Sequence, residues 1–332
     1  MKIGISLLSM VLIFGSSWAQ RSTYDSTYIE KTVDQMILRT YVSRKYTNLD
    51  YGKSVGLYEP NSGLNLGVGI TYQRFTLNIA APFGFLNPNR IEDWPQFLDL
   101  QLHSYPQNWI FDLFLQFYRG YTLSDFQDSG AEYRRRDLRL VKLGLSANYL
   151  FNGEKFSFEA AFHQSEIQKR SAFSPMLGFE VYRVRISGDS LLIPEELGVP
   201  GNYSRGDFFQ IGPSAGLAGT LVFGNGFFIT GAASANLGLG TGKADENKDS
   251  RAISLMPGYN LRGFAGYNGR KFSINGSYVF KNLLLAEIQG ISQEANTGNY
   301  RVNLVYKIHP GPKLDKTFTK FNPRQILKRM FN

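Results

Sequence analysis

Few residues of this chain could carry out nucleophilic or acid–base chemistry. There is no cysteine, which excludes thiol nucleophiles, thiolate metal sites and disulfides. The three histidines are His103, His163 and His309. His103 and Ser104 are neighbours in an alternating segment and therefore face opposite sides of a strand. His163, near Ser165 and Glu166, is the one place where a lumenal or loop hydrolase could be built. We therefore predict that the protein is not an enzyme, with a hydrolase at His163 as the exception.

Other binding motifs are also weak. Scattered histidines give no zinc-ligand spacing, so we predict no metal site and no cofactor. The glycines of residues 238–242 lack the Lys-Ser/Thr of a phosphate loop. The run Arg134, Arg135 and Arg136 lacks the interleaved aromatics of a nucleic-acid surface. We interpret it as an exposed loop cluster that touches lipopolysaccharide phosphates, and we expect no nucleic-acid partner.

Alternating apolar and polar residues recur along most of the chain, which is typical of strands with one apolar face. Residues 64–72, 109–117, 141–149 and 300–308 show the pattern clearly. The segments run about 9–12 residues, the length at which a tilted strand crosses the hydrocarbon of a membrane. They therefore predict membrane-crossing strands.

The connections between these segments distinguish a barrel from a soluble sandwich. Short turns alternate with long polar links, which lie at 83–96, 119–137, 169–207, 241–251 and 284–296. This is the pattern of outer-membrane barrels, with turns in the periplasm and loops outside. Aromatic residues cluster beside the short turns, where an interfacial girdle is expected. The predicted girdle consists of Tyr72, Phe75, Trp109, Tyr149, Phe151, Phe223, Phe227, Tyr267 and Phe272.

These patterns predict an all-β protein, a transmembrane antiparallel up-and-down β-barrel of twelve strands, with fourteen as the alternative count. An even number places both termini in the periplasm. The strand-like residues 176–186 would break this parity, so we assign them to a folded extracellular excursion. The predicted strands lie near 36–46, 64–73, 74–82, 97–105, 108–119, 138–151, 155–168, 208–223, 226–240, 252–267, 271–283 and 297–308.

The ends of the chain indicate its destination. Lys2, an apolar stretch over residues 3–15 and small residues before Gln20 predict a signal peptide at 1–19. A periplasmic segment over 20–34, a barrel over 35–309 and a basic periplasmic tail over 310–332 follow. The tail is expected to form a short C-terminal amphipathic helix, with a frayed periplasmic tail as the alternative. We thus expect secretion to the outer membrane of a Gram-negative bacterium.

The formal charge of +9 has a counterpart in the predicted lumen, where strand phase directs more basic than acidic side chains inward. In a water-filled pore this excess would favour anionic solutes. In a packed barrel the same groups would form a salt-bridge network, and a twelve-stranded lumen is intermediate between the two cases. The predicted lumen residues are Arg39, Arg74, Lys142, Arg262, Arg301, Asp99, Asp112, Glu159 and His163.

Four segments together resemble a known family. They are RTYVSRK at 39–45, LGVGITY at 66–72, DLFLQFYRGY at 112–121 and GNYRVNLVY at 298–306. They are similar to an uncharacterised outer-membrane β-barrel family, a domain-of-unknown-function family typical of Bacteroidota. The resemblance implies a barrel fold and an outer-membrane location. It implies no activity and no catalytic residue.

Three functions stay open on these grounds. The first is a porin-like channel or passive transporter for small anionic solutes. The second is a structural or interaction barrel that presents extracellular loops or assists a partner complex. An outer-membrane hydrolase is a distant third. Outer-membrane lipid and lipopolysaccharide are the expected partners in every case, and the sequence names no protein partner.

Overall fold

A computed structural model describes residues 24–32, 35–72, 75–86, 96–126, 131–244 and 253–312. Strands dominate, and one short α-helix, α1, spans Phe158–Phe162. No helix within these ranges is long and apolar enough to cross a membrane. The strands are β1 (Ile29–Lys31), β2 (Met36–Asp50), β3 (Leu57–Pro60), β4 (Asn65–Tyr72), β5 (Phe75–Pro82), β6 (Gln96–Ser104), β7 (Trp109–Phe126), β8 (Ala131–Leu150), β9 (Glu166–Gln168), β10 (Ala172–Ser187), β11 (Arg205–Phe223), β12 (Phe227–Ala244), β13 (Ile253–Asn268), β14 (Phe272–Ile288) and β15 (Ile291–Ile308).

The wall is an antiparallel sheet closed into a barrel. Ten strands form the closed ring, in the order β2, β3, β7, β8, β10, β11, β12, β13, β14 and β15, and β15 pairs again with β2. β4 and β5 extend from β2, and β6 pairs with β7. The predicted all-β antiparallel barrel is therefore confirmed. The closed ring of ten strands does not reproduce the count of twelve.

Two neighbouring predictions were wrong. Residues 155–168 do not form a wall strand, because the hydroxyl of Ser157 caps α1 by accepting a hydrogen bond from the Ala160 amide at 3.1 Å. Phe158, Ala160 and Ala161 are all buried, which a strand with one lipid-facing side would not allow. Conversely, residues 176–186 form the centre of wall strand β10, paired with β8 and β11 along its length.

The long links are shorter than predicted. β7 continues to Phe126 and β8 begins at Ala131, so most of 119–137 is strand. The link at 169–207 reduces to residues 188–204, and that at 284–296 becomes a tight hairpin with Gly290 at a φ of +84°. Strands continue past membrane length here because adjacent strands extend with them and keep the hydrogen-bond ladder satisfied.

The barrel has two distinct ends. We call the end that carries the short connections 105–108, 224–226 and 269–271 the turn end, and the opposite one the loop end. Outward side chains between them are apolar and exposed, such as Leu102, Leu217 and Val302 at 63%, 58% and 58%. Inward side chains are polar in the middle of the barrel, and a buried hydrophobic cluster lies at each end.

Candidate functional site in the barrel interior

The turn end is filled by α1 and β9, which together with β1 we call the plug. β1 pairs with β9 in a separate two-stranded sheet. Asn268 of the wall donates to the carbonyl oxygens of Ala160 and Glu166, at 3.0 and 2.8 Å. Asn275 donates to the carbonyl oxygen of Ala161 at 2.9 Å. Amide side chains of the wall thus satisfy the carbonyls at the end of α1, which lack partners within the helix.

Aromatic rings complete the closure of the turn end. Phe162 lies 5.7 Å from the ring of Phe264 and 5.2 Å from that of Tyr105. Phe158 stacks on Tyr105 at 5.5 Å. Such pairs add to the stabilisation from apolar burial, so the plug is packed against the wall on several sides.

His163 belongs to the plug and not to a wall strand. Its Nδ1 lies 3.0 Å from a carboxylate oxygen of Glu159, and the Ser165 hydroxyl donates to that same oxygen. In a serine hydrolase the histidine stands between the serine and the acid. Here the carboxylate stands between them, so His163 is not placed to activate the Ser165 hydroxyl.

The middle of the barrel holds two ion pairs that cross the interior. The Arg262 guanidinium of β13 contacts Asp112 of β7, which also lies 2.6 Å from Nδ1 of His103. Lys281 of β14 contacts Glu180 of β10. Asp112 and Glu180 are about 1 and 2% exposed, so each carboxylate is stabilised by its partner and not by water.

Three further cations lie inside without a carboxylate partner among the described residues. Lys142 is fully buried, donates to the Thr297 hydroxyl at 2.7 Å and lies 5.4 Å from the Phe114 ring. The Arg301 guanidinium lies 4.2 Å from the ring of Tyr41. Arg39 donates to the carbonyl oxygen of His163 at 3.0 Å. The interior is therefore basic beyond what its ion pairs neutralise.

Residues 188–204, which we call the cap, cover the loop end. Leu192, Ile193 and Tyr203 are buried in the apolar cluster there. The Tyr58 hydroxyl donates to the carbonyl oxygen of Leu192 at 3.2 Å, and Gln293 donates to the Tyr203 hydroxyl. The cap thus closes the loop end as the plug closes the turn end.

Arg135 fixes the cap to the wall. It donates to the carbonyl oxygen of Leu191 at 2.7 Å and to both carboxylate oxygens of Asp137, at 2.9 and 2.8 Å. These bonds hold the pKa of Asp137 well below its usual range. Arg135 is 4% exposed, so the interpretation of 134–136 as an exposed cluster was wrong for its central residue. Arg134 is exposed and pairs with Glu132.

Little space is left between these groups. One interior cavity, lined by residues that include Asn148, Phe158 and Arg262, has a volume of about 10 Å³. This is room for about one water molecule. Across the residues that the structure covers, no cluster of three or more histidine or acidic side chains could hold a metal ion.

Most predicted lumen residues lie inside the barrel, but they do not form one group. Arg39, Asp99, Asp112, Lys142, Arg262 and Arg301 project from wall strands, Glu159 and His163 lie on the plug, and Arg74 lies outside the described residues. Glu180, Lys281 and Lys45 belong to the same interior and were not predicted. The alternation of β14 and of β2 places Lys281 and Lys45 on the inward faces, so both could have been predicted. Glu180 could be predicted only if β10 were recognised as a wall strand.

The predicted aromatic girdle lies at the turn end. Trp109 packs against Phe111 and Tyr149, at 5.5 and 5.1 Å between ring centroids, and Phe227 packs against Tyr267 at 5.3 Å. Phe151, Phe223 and Phe272 are exposed, whereas Tyr72 is buried. The side chain of Phe75 lies outside the described set.

Comparison with known proteins identifies a family. The model of a family described as a domain of unknown function, DUF4421, matches residues 23–307. No curated protein matches the sequence. The predicted resemblance to a family of unknown function is therefore confirmed, and its origin in Bacteroidota stays a prediction.

Several solved structures match the chain at low similarity. The outer membrane protease OmpT from Escherichia coli is 10% identical, with 84% of this chain and 98% of that chain covered and a TM-score of 0.35. The translocator domain of the autotransporter NalP from Neisseria meningitidis is 9% identical, with 82% and 88% covered and a TM-score of 0.34. The outer membrane protein OprG from Pseudomonas aeruginosa is 10% identical, with 85% and 98% covered and a TM-score of 0.23.

Proposed function

Because the chain belongs to the DUF4421 family, whose function is unknown, we propose a role from its own geometry: an outer-membrane β-barrel that acts through its surfaces and is closed to free solute flow. The proposal that the barrel is closed to solutes rests on one observation: the plug closes the interior at one end and the cap closes it at the other. A solute would have to displace both and also pass the ion pairs between them.

The outer surface supports insertion into a membrane. Exposed leucines alternate along β6, at positions 98, 100 and 102, and exposed apolar residues recur at Leu143 and Leu145 of β8 and at Val302 and Leu304 of β15. Soluble monomers rarely expose contiguous apolar patches above a few hundred Å². A continuous apolar band around a barrel with a polar interior is instead the arrangement of outer-membrane proteins.

We further propose that twelve strands cross the membrane, namely β2, β4 to β8 and β10 to β15. β3 then lies above the membrane at the loop end and joins β2 to β7. The turn end faces the periplasm with both termini, and the loop end faces outward, which agrees with short periplasmic turns and longer external loops. A signal peptide at 1–19, outside the described residues, would supply the export that this location needs.

A channel for small anionic solutes is the second candidate. It is favoured by Lys142, Arg301 and Arg39, whose positive charges are not balanced by ion pairs with carboxylates in the described interior. For this candidate the plug and the cap must move, because selection by charge requires a continuous water-filled path.

Planar-bilayer recording of the mature protein separates the two candidates. The protein is first shown to be folded by a shift in gel mobility on boiling, and to fractionate with outer membranes. We expect almost no steady conductance from the intact barrel. Replacement of residues 155–168 by a short turn, combined with deletion of 190–202, should produce steady conductance.

Two results would contradict the proposal. Stable, anion-selective conductance from the intact protein, lowered by Lys142→Ala with Arg301→Ala, would establish the channel instead. A mature protein that stays soluble and folded without detergent would refute the membrane location.

A further inference from the structure

The wall of the barrel has one seam without strand pairing. Among the described residues, β5 pairs only with β4 and β6 only with β7, whereas every other wall strand has a neighbour on both sides. β3 closes the ring above this seam by pairing with Leu49 of β2 and Leu123 of β7. The seam therefore occupies the half of the wall nearer the turn end.

An unpaired seam cannot face lipid tails alone. Backbone N–H and C=O groups without a partner cost several kcal/mol each in hydrocarbon, so polar groups must meet these edges. One cation already does so: Lys45 of β2 donates to the backbone carbonyl of Asp99 in β6 at 3.1 Å and lies 3.6 Å from its carboxylate. A side chain from the far side of the seam thus donates a hydrogen bond to the backbone of β6.

The interior is accessible at this seam. Asn78, Ala80 and Pro82 face inward on β5 and are nevertheless exposed, unlike inward residues of the opposite wall such as Asn260 and Arg262. The side chains of Asn78 and Arg39 converge over Gly69 of β4. A Cβ there would lie 2.1 Å from the side-chain oxygen of Asn78 and 2.8 Å from Cγ of Arg39, so only glycine lets these two side chains meet.

The groups behind the seam are mostly positive. The Arg301 charge is near enough to those of Arg39 and Lys45 to repel both. The nearby carboxylates are Asp99, which accepts hydrogen bonds from Gln116 and Tyr118 as well, and Glu159, which is bound by His163 and Ser165. Nε of Arg301 is buried and has no hydrogen-bond partner among the residues that the structure describes. Among the described residues, three cations thus face two engaged carboxylates, and an anion would relieve their repulsion.

Apolar side chains flank the same seam on the outside. Ile79 of β5 is 62% exposed, and Leu100 of β6 is 54% exposed. A ligand at the seam would therefore touch hydrocarbon-like surface with one part and cations with the other. That is the chemistry of a membrane lipid with an anionic headgroup.

We propose that the seam between β5 and β6 is a lateral opening through which an anionic phospholipid places its phosphate on Arg301, Lys45 and Arg39. The phosphate and ester oxygens of the lipid would accept hydrogen bonds from unpaired N–H groups of the strand edges, and its acyl chains would stay on the outer surface beside Ile79 and Leu100. The inference rests on the proposed membrane location, with the turn end in the phospholipid leaflet.

Lipid retention measures this directly. The mature protein in detergent micelles is mixed with phosphatidylglycerol or phosphatidylcholine, and bound lipid is counted by native mass spectrometry. Phosphatidylglycerol should be retained in preference to phosphatidylcholine. Lys45→Gln with Arg301→Gln should lower its affinity by about tenfold or more, because two charge-assisted hydrogen bonds are lost.

A matched control removes the same charge elsewhere. Arg183 and Arg185 are exposed at the loop end, where both bind Asp207, and Arg183→Gln with Arg185→Gln should leave retention unchanged. Ala80→Trp, which keeps every cation and narrows the opening at an exposed position, should also lower retention. This third variant decides the question if the double cation variant does not fold.

Three outcomes would overturn the lipid site. They are equal retention in all variants, equal binding of the two lipids, and displacement of the lipid by inorganic phosphate at equal concentration, which would assign the cluster to free anions. The gel shift and the outer-membrane fractionation are scored on the same preparations. If the protein shows neither the gel shift nor outer-membrane fractionation, the membrane location is refuted. If it is a folded membrane barrel that binds both lipids equally, only the lipid site at the seam is refuted.

Discussion

At the loop end, the barrel is closed by apolar side chains of the cap. At the turn end, it is closed by the plug, whose backbone carbonyls accept hydrogen bonds from asparagine side chains of the wall. Leu192 and Ile193 of the cap are each about 1% exposed. The ion pair of Arg135 with Asp137 in β8 fixes the start of the cap, because Arg135 donates to the Leu191 carbonyl and Asp137 accepts from the Asp189 amide. The plug instead depends on Asn268 and Asn275, which donate to its carbonyls.

The difference concerns how each closure fails. Apolar burial is non-directional and declines gradually as contacts are lost. A buried polar contact that loses one partner leaves the other unsatisfied, at a cost of about 1–3 kcal/mol per group. The plug should therefore be more sensitive to single substitutions, and the cap should be more sensitive to conditions that alter its ion pair.

The largest expected effect is that of Asn268→Ala. Besides its two bonds to the plug, Asn268 accepts hydrogen bonds from the Lys307 ammonium at 2.7 Å and from the Ser273 hydroxyl at 2.9 Å. Losing all four should lower the free energy of unfolding by about 3–5 kcal/mol. Urea titration of the folded barrel in lipid vesicles measures this, and hydrogen exchange over 151–171 should accelerate.

Asn236→Ala is the matched control. Asn236 is also buried on an inward face, but its side-chain oxygen has no hydrogen-bond partner within the described part of the chain. Its replacement should cost distinctly less. Equal losses for the two variants would mean that the plug is not held by Asn268.

The second largest effect is expected from Arg135→Ala, which detaches the cap. The variant loses the bond to the Leu191 carbonyl and both bonds to Asp137. Hydrogen bonds to charged groups contribute about 1.5–3 kcal/mol, so we expect a loss in that range and faster proteolysis within 188–204. Arg134→Ala, at an exposed pair with Glu132, should change stability by less than about 1 kcal/mol.

The two closures also differ in how far sequence predicts them. Wall strands such as β13 and β15 repeat one period over many residues, so their faces follow from the residues themselves. The faces of the plug do not follow in this way, because Phe158 and Phe162 pack against the wall residues Tyr105 and Phe264, which are distant in sequence. The Ser157 cap was the local signal for α1, and the apparent alternation around it concealed that signal.

The cap and the seam depend on contacts that no local pattern contains. Arg135 stands in a run of three arginines, and only the fold shows that it alone turns inward to the cap. Lys45 likewise becomes informative once β6 is placed beside it without a pairing partner at that edge. Charge excess in the lumen was predictable from strand phase, whereas the pairing of each charge was not.

A smaller effect should follow from pH at the cap. Hydrogen bonds from Arg135 depress the pKa of Asp137 in the folded protein, so its contribution is present above the unfolded pKa of about 4 and is lost as pH falls towards the folded value. The protection of amides in 188–204 against hydrogen exchange, relative to the intrinsic rate at each pH, should fall as the pH is lowered below about 4. In Asp137→Asn the exchange should already be faster at neutral pH and should show less acid dependence. An unchanged acid response in this variant would assign the effect to another group.

The smallest effect is predicted for His163→Ala, at the residue that first suggested chemistry. Arg39 binds the backbone carbonyl of His163, which alanine retains, and the side chain contacts a partly exposed carboxylate. We expect a change of less than about 1 kcal/mol in unfolding free energy. Because Glu159 separates His163 from Ser165, any hydrolysis of lipid or peptide by the purified protein should survive His163→Ala. The opposite result would be hydrolysis that both His163→Ala and Ser165→Ala abolish. It would show that the plug rearranges into a catalytic site. The plug would then differ from the cap in function as well as in construction.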